Sequence, residues 1–254
     1  LTCREGDERL LKKVMKKVRV WLRDSLPMPL YGRLAWWFSF MYALIRSRLL
    51  KHPSVFVIGD SHANVFRWNK PYIVFNVGSA TAYQLKNPKS STNSNAKLFR
   101  VLRLVAKSRD TVLLVFGEVD CRMHIYNQYM RSGAAKQISF YIDRTISNYG
   151  CVLNRISQMG IRFHVHGVPP AATEGNIYGI EYYPPPEIRS KINCMFNKEL
   201  RTYCETHGYS YIDIYSKVVD EDGFTAEQYR GDEVHLNASA LKFIEEKMRI
   251  ARPL

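Results

Sequence analysis

Val55-Phe56-Val57-Ile58-Gly59-Asp60-Ser61-His62 sets four apolar residues against a glycine and three polar ones. A short run of β-branched and aromatic residues ending on a turn signal reads as a fully buried strand. Strands buried on both faces belong to parallel sheets covered by helices on each side. The turn that follows puts Ser61 at the sheet's carboxyl edge, with its backbone N–H near a helix N-terminus. A nucleophile needs that exposure, and the N–H can stabilise a developing oxyanion. By itself the turn equally suits an N-cap that starts a helix.

Working outward, four more apolar runs read as strands: Tyr72–Phe75, Val112–Phe116, Phe163–Val168 and Tyr209–Ile214. Longer periodic segments between them predict helices over Ala96–Lys107, Gln137–Met159, Pro186–His207 and Ala238–Ile250. That alternation is the pattern of βαβ units. The expected fold class is α/β, a three-layer α/β/α sandwich with a five-stranded parallel sheet, over residues 53–254. In such sheets the ligand crevice lies beyond the carboxyl ends of the strands.

Candidate chemistry is therefore sought at those ends. Asp232-Glu233-Val234-His235 precedes the last helix. Its three-residue spacing lets one segment present an imidazole and the carboxylate that orients it. Asn76-Val77-Gly78-Ser79 follows the second strand, and Gly78 offers an unobstructed backbone N–H to an oxyanion. Gly117-Glu118-Val119-Asp120-Cys121-Arg122 follows the third. There Glu118, Asp120 and Arg122 read either as a salt-bridge network in a loop or as Arg122 aimed at substrate, held by one acid. His164 and His166 end the fourth strand and read as strand-edge histidines or as crevice contacts.

In this order the segments resemble the SGNH/GDSL hydrolase superfamily, over roughly residues 53–250. Gly59-Asp60-Ser61 resembles its first block, Gly78 the oxyanion glycine of its second, and Asp232-x-x-His235 its last. The resemblance implies Ser61, Asp232 and His235 as a catalytic triad; Gly78, Asn76, Arg122, Glu118 and Asp120, at the neighbouring strand ends, are the candidates for the oxyanion and substrate. One departure stands out: the third block is normally Gly-x-Asn-Asp, and its Asn is Val119 here. Val donates no hydrogen bond, and losing one oxyanion donor typically costs about a hundred- to a thousand-fold in rate. Arg122 or Asn76 is the candidate replacement.

The balance is 37 Lys and Arg against 23 Asp and Glu, a net charge of +14. Residues 1–52 carry twelve of those basic residues against four acidic ones. In this first stretch, residues 8–23 have helical periodicity with lysines between the apolar positions. Leu34 to Ile45 is almost wholly apolar and aromatic. Twelve residues are too few to span a bilayer, which needs about twenty. Residues 1–52 are thus expected to form a basic amphipathic arm. It either packs on the catalytic domain or on a neighbouring domain, or lies, through residues 8–48, on an anionic membrane surface.

Five cysteines without C-x-x-C spacing indicate neither a zinc site nor a disulfide framework, and point to a reducing, cytoplasmic setting; the basic arm adds a place peripheral to a membrane. The start at Leu1 is read as a fragment, a piece of a larger multidomain chain, or as a processed product. No P-loop, G-x-G-x-x-G, zinc-finger or RNA-binding motif occurs, so neither cofactor, metal nor nucleic acid is expected. The expected function is acyl-ester chemistry on a carbohydrate or similar polar substrate. It takes the form of an esterase or deacetylase, or of an O-acetyltransferase. The alternative is a non-catalytic binding or scaffold module.

Overall fold

The structure is a computed structural model, and it describes residues 13, 14, 17, 18, 20, 21, 24–45, 55–67, 69, 72–105, 110–173 and 180–250. Five strands form one sheet: β1 (Val55–Gly59), β2 (Tyr72–Asn76), β3 (Thr111–Val115), β4 (Phe163–His166) and β5 (Ser210–Ile212). Their order is β2-β1-β3-β4-β5, and every neighbouring pair is parallel. The expected parallel α/β sandwich is what forms. Strand ends differ from the sequence reading by one to two residues.

Side chains alternate across a strand, and this divides the core in two. Phe56, Ile58, Ile73, Phe75, Val112 and Leu114 face one side, where α2 (Ser94–Val105), α4 (Ile138–Gln158) and α5 (Pro186–Thr206) pack. Val55, Val57, Val74, Leu113 and Val115 face the other, against Phe66, Ile214, Leu236 and α7 (Leu241–Ile250). Burying each such aliphatic side chain contributes about 1.5–3 kcal/mol. A hydroxyl at the sheet edge is thereby carried on a rigid support.

The helix α1 (Met28–Leu44) follows Pro27 as its N-cap and begins earlier than the apolar segment suggested, with Pro29 in its first turn, where a missing N–H costs nothing. Its Trp36, Phe40 and Tyr42 pack on the first core cluster, Trp36 meeting Phe75 at a ring separation of 6.2 Å. Leu30, Trp37 and Met41 face outward and are exposed. Most of the basic 8–23 segment, and Cys3, lie outside the described residues. The described residues 13, 14, 17, 18, 20 and 21 are helical. Among the described residues no helix is long and apolar enough to cross a membrane.

Two segments differ in kind from the sequence reading. The Glu118–Arg122 run is no loop: Glu118 and Val119 open a helix that continues as a π-helix over Asp120–His124 and then as α3 (Ile125–Arg131). After β5 come a short α6 (Tyr215–Val218) and a 3-10 turn, Ala238–Ala240, that leads into α7.

Candidate active site

β1 ends on Gly59 because nothing larger fits. A Cβ there would lie 2.3 Å from the Val115 carbonyl oxygen of β3. The chain then turns into a 3-10 helix, Ser61–Phe66, capped by the Asp60 carboxylate, which accepts the His62 N–H at 2.9 Å. Ala63 donates its N–H to the Asp60 carbonyl. Ser61 occupies the first position of this helix, where backbone N–H groups have no partner within the helix.

The last loop brings the partners to it. Asp232 folds back on its own segment, accepting the N–H groups of Val234 at 2.9 Å and His235 at 2.8 Å. That turn is why the three-residue spacing works: it aims the carboxylate at the ring that follows. His235 Nδ1 lies 3.0 and 2.9 Å from the two Asp232 oxygens, and its Nε2 lies 2.9 Å from Ser61 Oγ. Because a carboxylate only accepts, Nδ1 carries the proton and donates it, leaving Nε2 to accept from the Ser61 hydroxyl. Partial burial pushes the Asp232 carboxyl up, but the two N–H groups and the imidazole outweigh it and hold the group below its ordinary range. The side chains of His235 and Asp232 are 30% and 58% exposed, so solvent reaches this edge.

Beneath the serine lies a buried charge cluster. His62 Nε2 sits 2.8 Å from Glu118 Oε2, close but off the N–H line, and Arg122 Nε donates to Glu118 Oε1 at 2.7 Å. Burial opposes charge on Glu118, yet His62 and then Arg122 reverse it and hold the carboxyl down at about 2. Burial likewise opposes charge on His62, and Glu118 overcomes it, raising the imidazole above its usual value. Asp60 has less help, and burial pushes its carboxyl up to about 6. The His62 ring packs against the His235 ring with centroids 4.5 Å apart.

The remaining candidates divide. Asp120 is fully buried and faces the 79–92 loop rather than the crevice, accepting the N–H groups of Ala82 at 2.6 Å and Tyr83 at 3.1 Å. Burial pushes its carboxyl up to about 7. Gly78 has a φ of +99°, a conformation suited to glycine. Its N–H, read as free for an oxyanion, instead donates to Asn76 Oδ1 at 2.8 Å. Asn76 pairs with Gly59 across the sheet, and its Nδ2 makes only a long 3.5 Å approach to Asn64 of the Ser61 helix. Val119 is buried in the helix start. His164 is spent between strands, 2.7 Å from Ser210 Oγ, and His166 is buried, which lowers it to about 4 and keeps it neutral.

His62 was quoted in the sequence motif but given no role. The available signal was a histidine beside the serine, together with two acids and an arginine after an apolar strand. Among the described residues no group of three or more His, Cys, Asp or Glu is placed to hold a metal ion.

No protein-family model matches the chain, and no curated protein matches it. Solved structures do. A Bacteroides fragilis NCTC 9343 protein named as an acylhydrolase is 21% identical, covering 83% of this chain and 93% of its own, with a TM-score of 0.53. A GDSL-like lipase from Bacteroides thetaiotaomicron VPI-5482 is 19% identical, covering 84% and 96%, with a TM-score of 0.51. An acetyl xylan esterase, AlAXEase, is 14% identical, covering 79% and 100%, with a TM-score of 0.50. The fold of this chain is that of the SGNH/GDSL hydrolases.

Proposed function

We propose that this protein performs serine-dependent acyl-ester chemistry on a carbohydrate or similar polar substrate. The observation that carries it is the unbroken line of contacts from Ser61 Oγ through the His235 ring to the Asp232 carboxylate. Ser61 Oγ attacks the ester carbonyl while its proton passes to His235 Nε2. The leaving alcohol takes that proton, and the acyl group stays on Ser61. Water then attacks the acyl-enzyme, with His235 again as base, and the acid is released. Hydrolysis is the first reading, since water reaches the open edge at His235 and Asp232. Transfer to a sugar hydroxyl is the second reading, separated by product analysis with and without sugar acceptors.

For the oxyanion we assign the Ser61 N–H and Asn76 Nδ2. Arg122 is committed to Glu118, and Asn76 stands at the strand end beside Gly59. The outward face of α1, with Leu30, Trp37 and Met41, fits a membrane surface, and the basic residues of the 8–48 stretch fit an anionic one. Equal sedimentation of the protein with neutral and anionic vesicles would remove that part.

The test is labelling with a fluorophosphonate probe alongside turnover of p-nitrophenyl acetate. Wild type should label at Ser61 and turn over, and Ser61→Ala should do neither while keeping its melting temperature. An unlabelled Ser61 in folded wild type would favour a non-catalytic module, the reading that Val119 and the engaged Gly78 N–H support.

A further inference from the structure

Beyond Gly78 the chain does not leave the crevice at once. Residues 79–92 fold into a loop of consecutive turns that faces the π-helix and α3 and encloses a cleft of about 360 Å3. Small-molecule pockets run from about 300 to 1,000 Å3 and are mostly apolar. This cleft has an ordinary size and an unusual lining. Ser79, Gln84 and Ser90 face His124 and Gln128 across it, with Tyr83 at its wall. Lys89 is the one charged residue among those lining it, and no carboxylate does.

Three observations separate the cleft from an ordinary wet surface. First, the Ser90 Oγ is shut off from solvent and has no hydrogen-bond partner. A hydroxyl left unsatisfied in that way costs about 1–3 kcal/mol, which is recovered when a turn about χ1 brings it into the cleft and onto a ligand hydroxyl. Second, the first half of the loop is held before any ligand arrives. Asp120 pins Ala82 and Tyr83, Asn148 Nδ2 donates to the Tyr83 carbonyl at 3.2 Å, and Asn95 Nδ2 donates to the Leu85 carbonyl at 2.8 Å. A preformed site loses less ordering entropy on binding. Third, the cleft starts at Ser79, three residues past Asn76, which pairs with Gly59 at the end of β1. The loop that walls it therefore begins from the strand end beside the one that carries Ser61.

The lining chooses the ligand class. Serine hydroxyls, glutamine amides and a neutral imidazole each donate and accept hydrogen bonds. A sugar hydroxyl does both as well. Burial, followed by the nearby Arg122, lowers the His124 imidazole, so it stays neutral. An acidic sugar would want more than one exposed lysine.

We propose that this cleft is a glycosyl subsite that holds a neutral sugar ring of the substrate next to the ester attacked by Ser61. The assignment rests on the ester-chemistry reading above and adds the place and class of its carbohydrate.

The experiment uses the full chain and two readouts, so that the two readings fail separately. In the first, Ser61→Ala protein is titrated with methyl β-D-glucopyranoside and with methyl β-D-glucuronide by saturation-transfer NMR. The neutral glycoside should bind, and Ser90→Val or Gln84→Ala, each added to Ser61→Ala, should weaken it about tenfold. In the second, wild type and the same two single variants are assayed on an acetylated methyl glucoside and on p-nitrophenyl acetate. The variants should raise KM for the sugar ester about tenfold and leave kcat/KM for p-nitrophenyl acetate unchanged.

Unaltered glycoside binding and KM in both variants would overturn the subsite. Tighter binding of the glucuronide, lost in Lys89→Ala or in salt, would overturn the neutral class. Should wild type turn over neither ester, the ester reading falls, and glycoside binding that still depends on Ser90 and Gln84 would uphold the cleft as a sugar site.

Discussion

Replacing Glu118 by glutamine tests whether the charge cluster beneath Ser61 is as tightly coupled as its geometry indicates. The carboxylate is buried and touches two cations, His62 at 2.8 Å and Arg122 at 2.7 Å. Its carboxyl is held at about 2 against an ordinary 4.5. At about 1.4 kcal/mol per pH unit, that depression is worth about 3 kcal/mol at neutral pH. The figure agrees with the roughly 3–5 kcal/mol expected when one partner of a buried pair is removed.

The signs follow from the two directions. Glu118, depressed on folding, stabilises above its unfolded value and loses that stabilisation as pH falls towards 2. His62, raised on folding, stabilises below its unfolded value and loses that as pH rises through its folded one. Glu118→Gln removes both. With a urea slope of about 2 kcal/mol/M, the midpoint at pH 7 should drop by about 1.5 M. The rise in wild-type stability between pH 2 and 4.5 should also flatten. Glu181→Gln, which breaks an exposed pair with Arg131 at 3.1 Å, serves as control and should cost under about 1 kcal/mol. A Glu118→Gln midpoint within roughly 0.3 M of wild type, or an acid limb as steep as before, would refute the coupling.

Asp232→Asn should lower kcat on a small acetyl ester by about 100-fold or more, because an amide can leave His235 in the wrong tautomer; wild-type kcat would take Asp232 out of the mechanism. Asn76→Ala should reduce kcat about 100- to 1,000-fold with KM little changed if its Nδ2 meets the oxyanion, and a change confined to KM would argue against that role. Asp120 binds its proton more tightly in the folded chain, so its contribution to stability should fall as pH rises from about 4 to 7; Asp120→Asn should flatten that slope in urea melts at stepped pH. Gly59→Ala should give no soluble protein, since its Cβ would meet the Val115 carbonyl at 2.3 Å; a folded variant with normal melting would show that β1 and β3 can separate.

The sheet was legible because its strands are buried on both faces and read as continuous apolar runs; β1 and β2 need no other signal. The Ser61, Asp232 and His235 positions were legible because each sits in a local spacing with a turn beside it. The helix through Glu118–Arg122 was not, and the reason is physical. It buries Glu118 and Asp120 on different sides, where a buried helix start would show aliphatic residues, so the periodicity that announces a helix is interrupted by charge. The His62–Glu118 contact joins two different strand ends, and no spacing along the chain encodes that. The 79–92 cleft was hidden for a third reason. Hydroxyls and amides in a turn-rich stretch have no period, and a preformed polar site and a solvated loop share the same composition.

Burying four ionisable side chains under one serine is hard to justify by stability alone. Apolar residues of similar volume often serve as well as a buried ion pair, or better. What an apolar filling would not supply is a fixed arrangement of partners around His235. The Asp232 carboxylate that orients this ring is more than half exposed, so from the solvent side the ring is held by a contact that water can compete for. From the protein side it rests on the His62 ring, which Glu118 holds and Arg122 secures in turn. The side of the imidazole facing the protein is thus tied to the π-helix after β3. A loss of order at Glu118 should therefore be felt at Ser61 Oγ, although Glu118 itself touches neither member of that hydrogen bond.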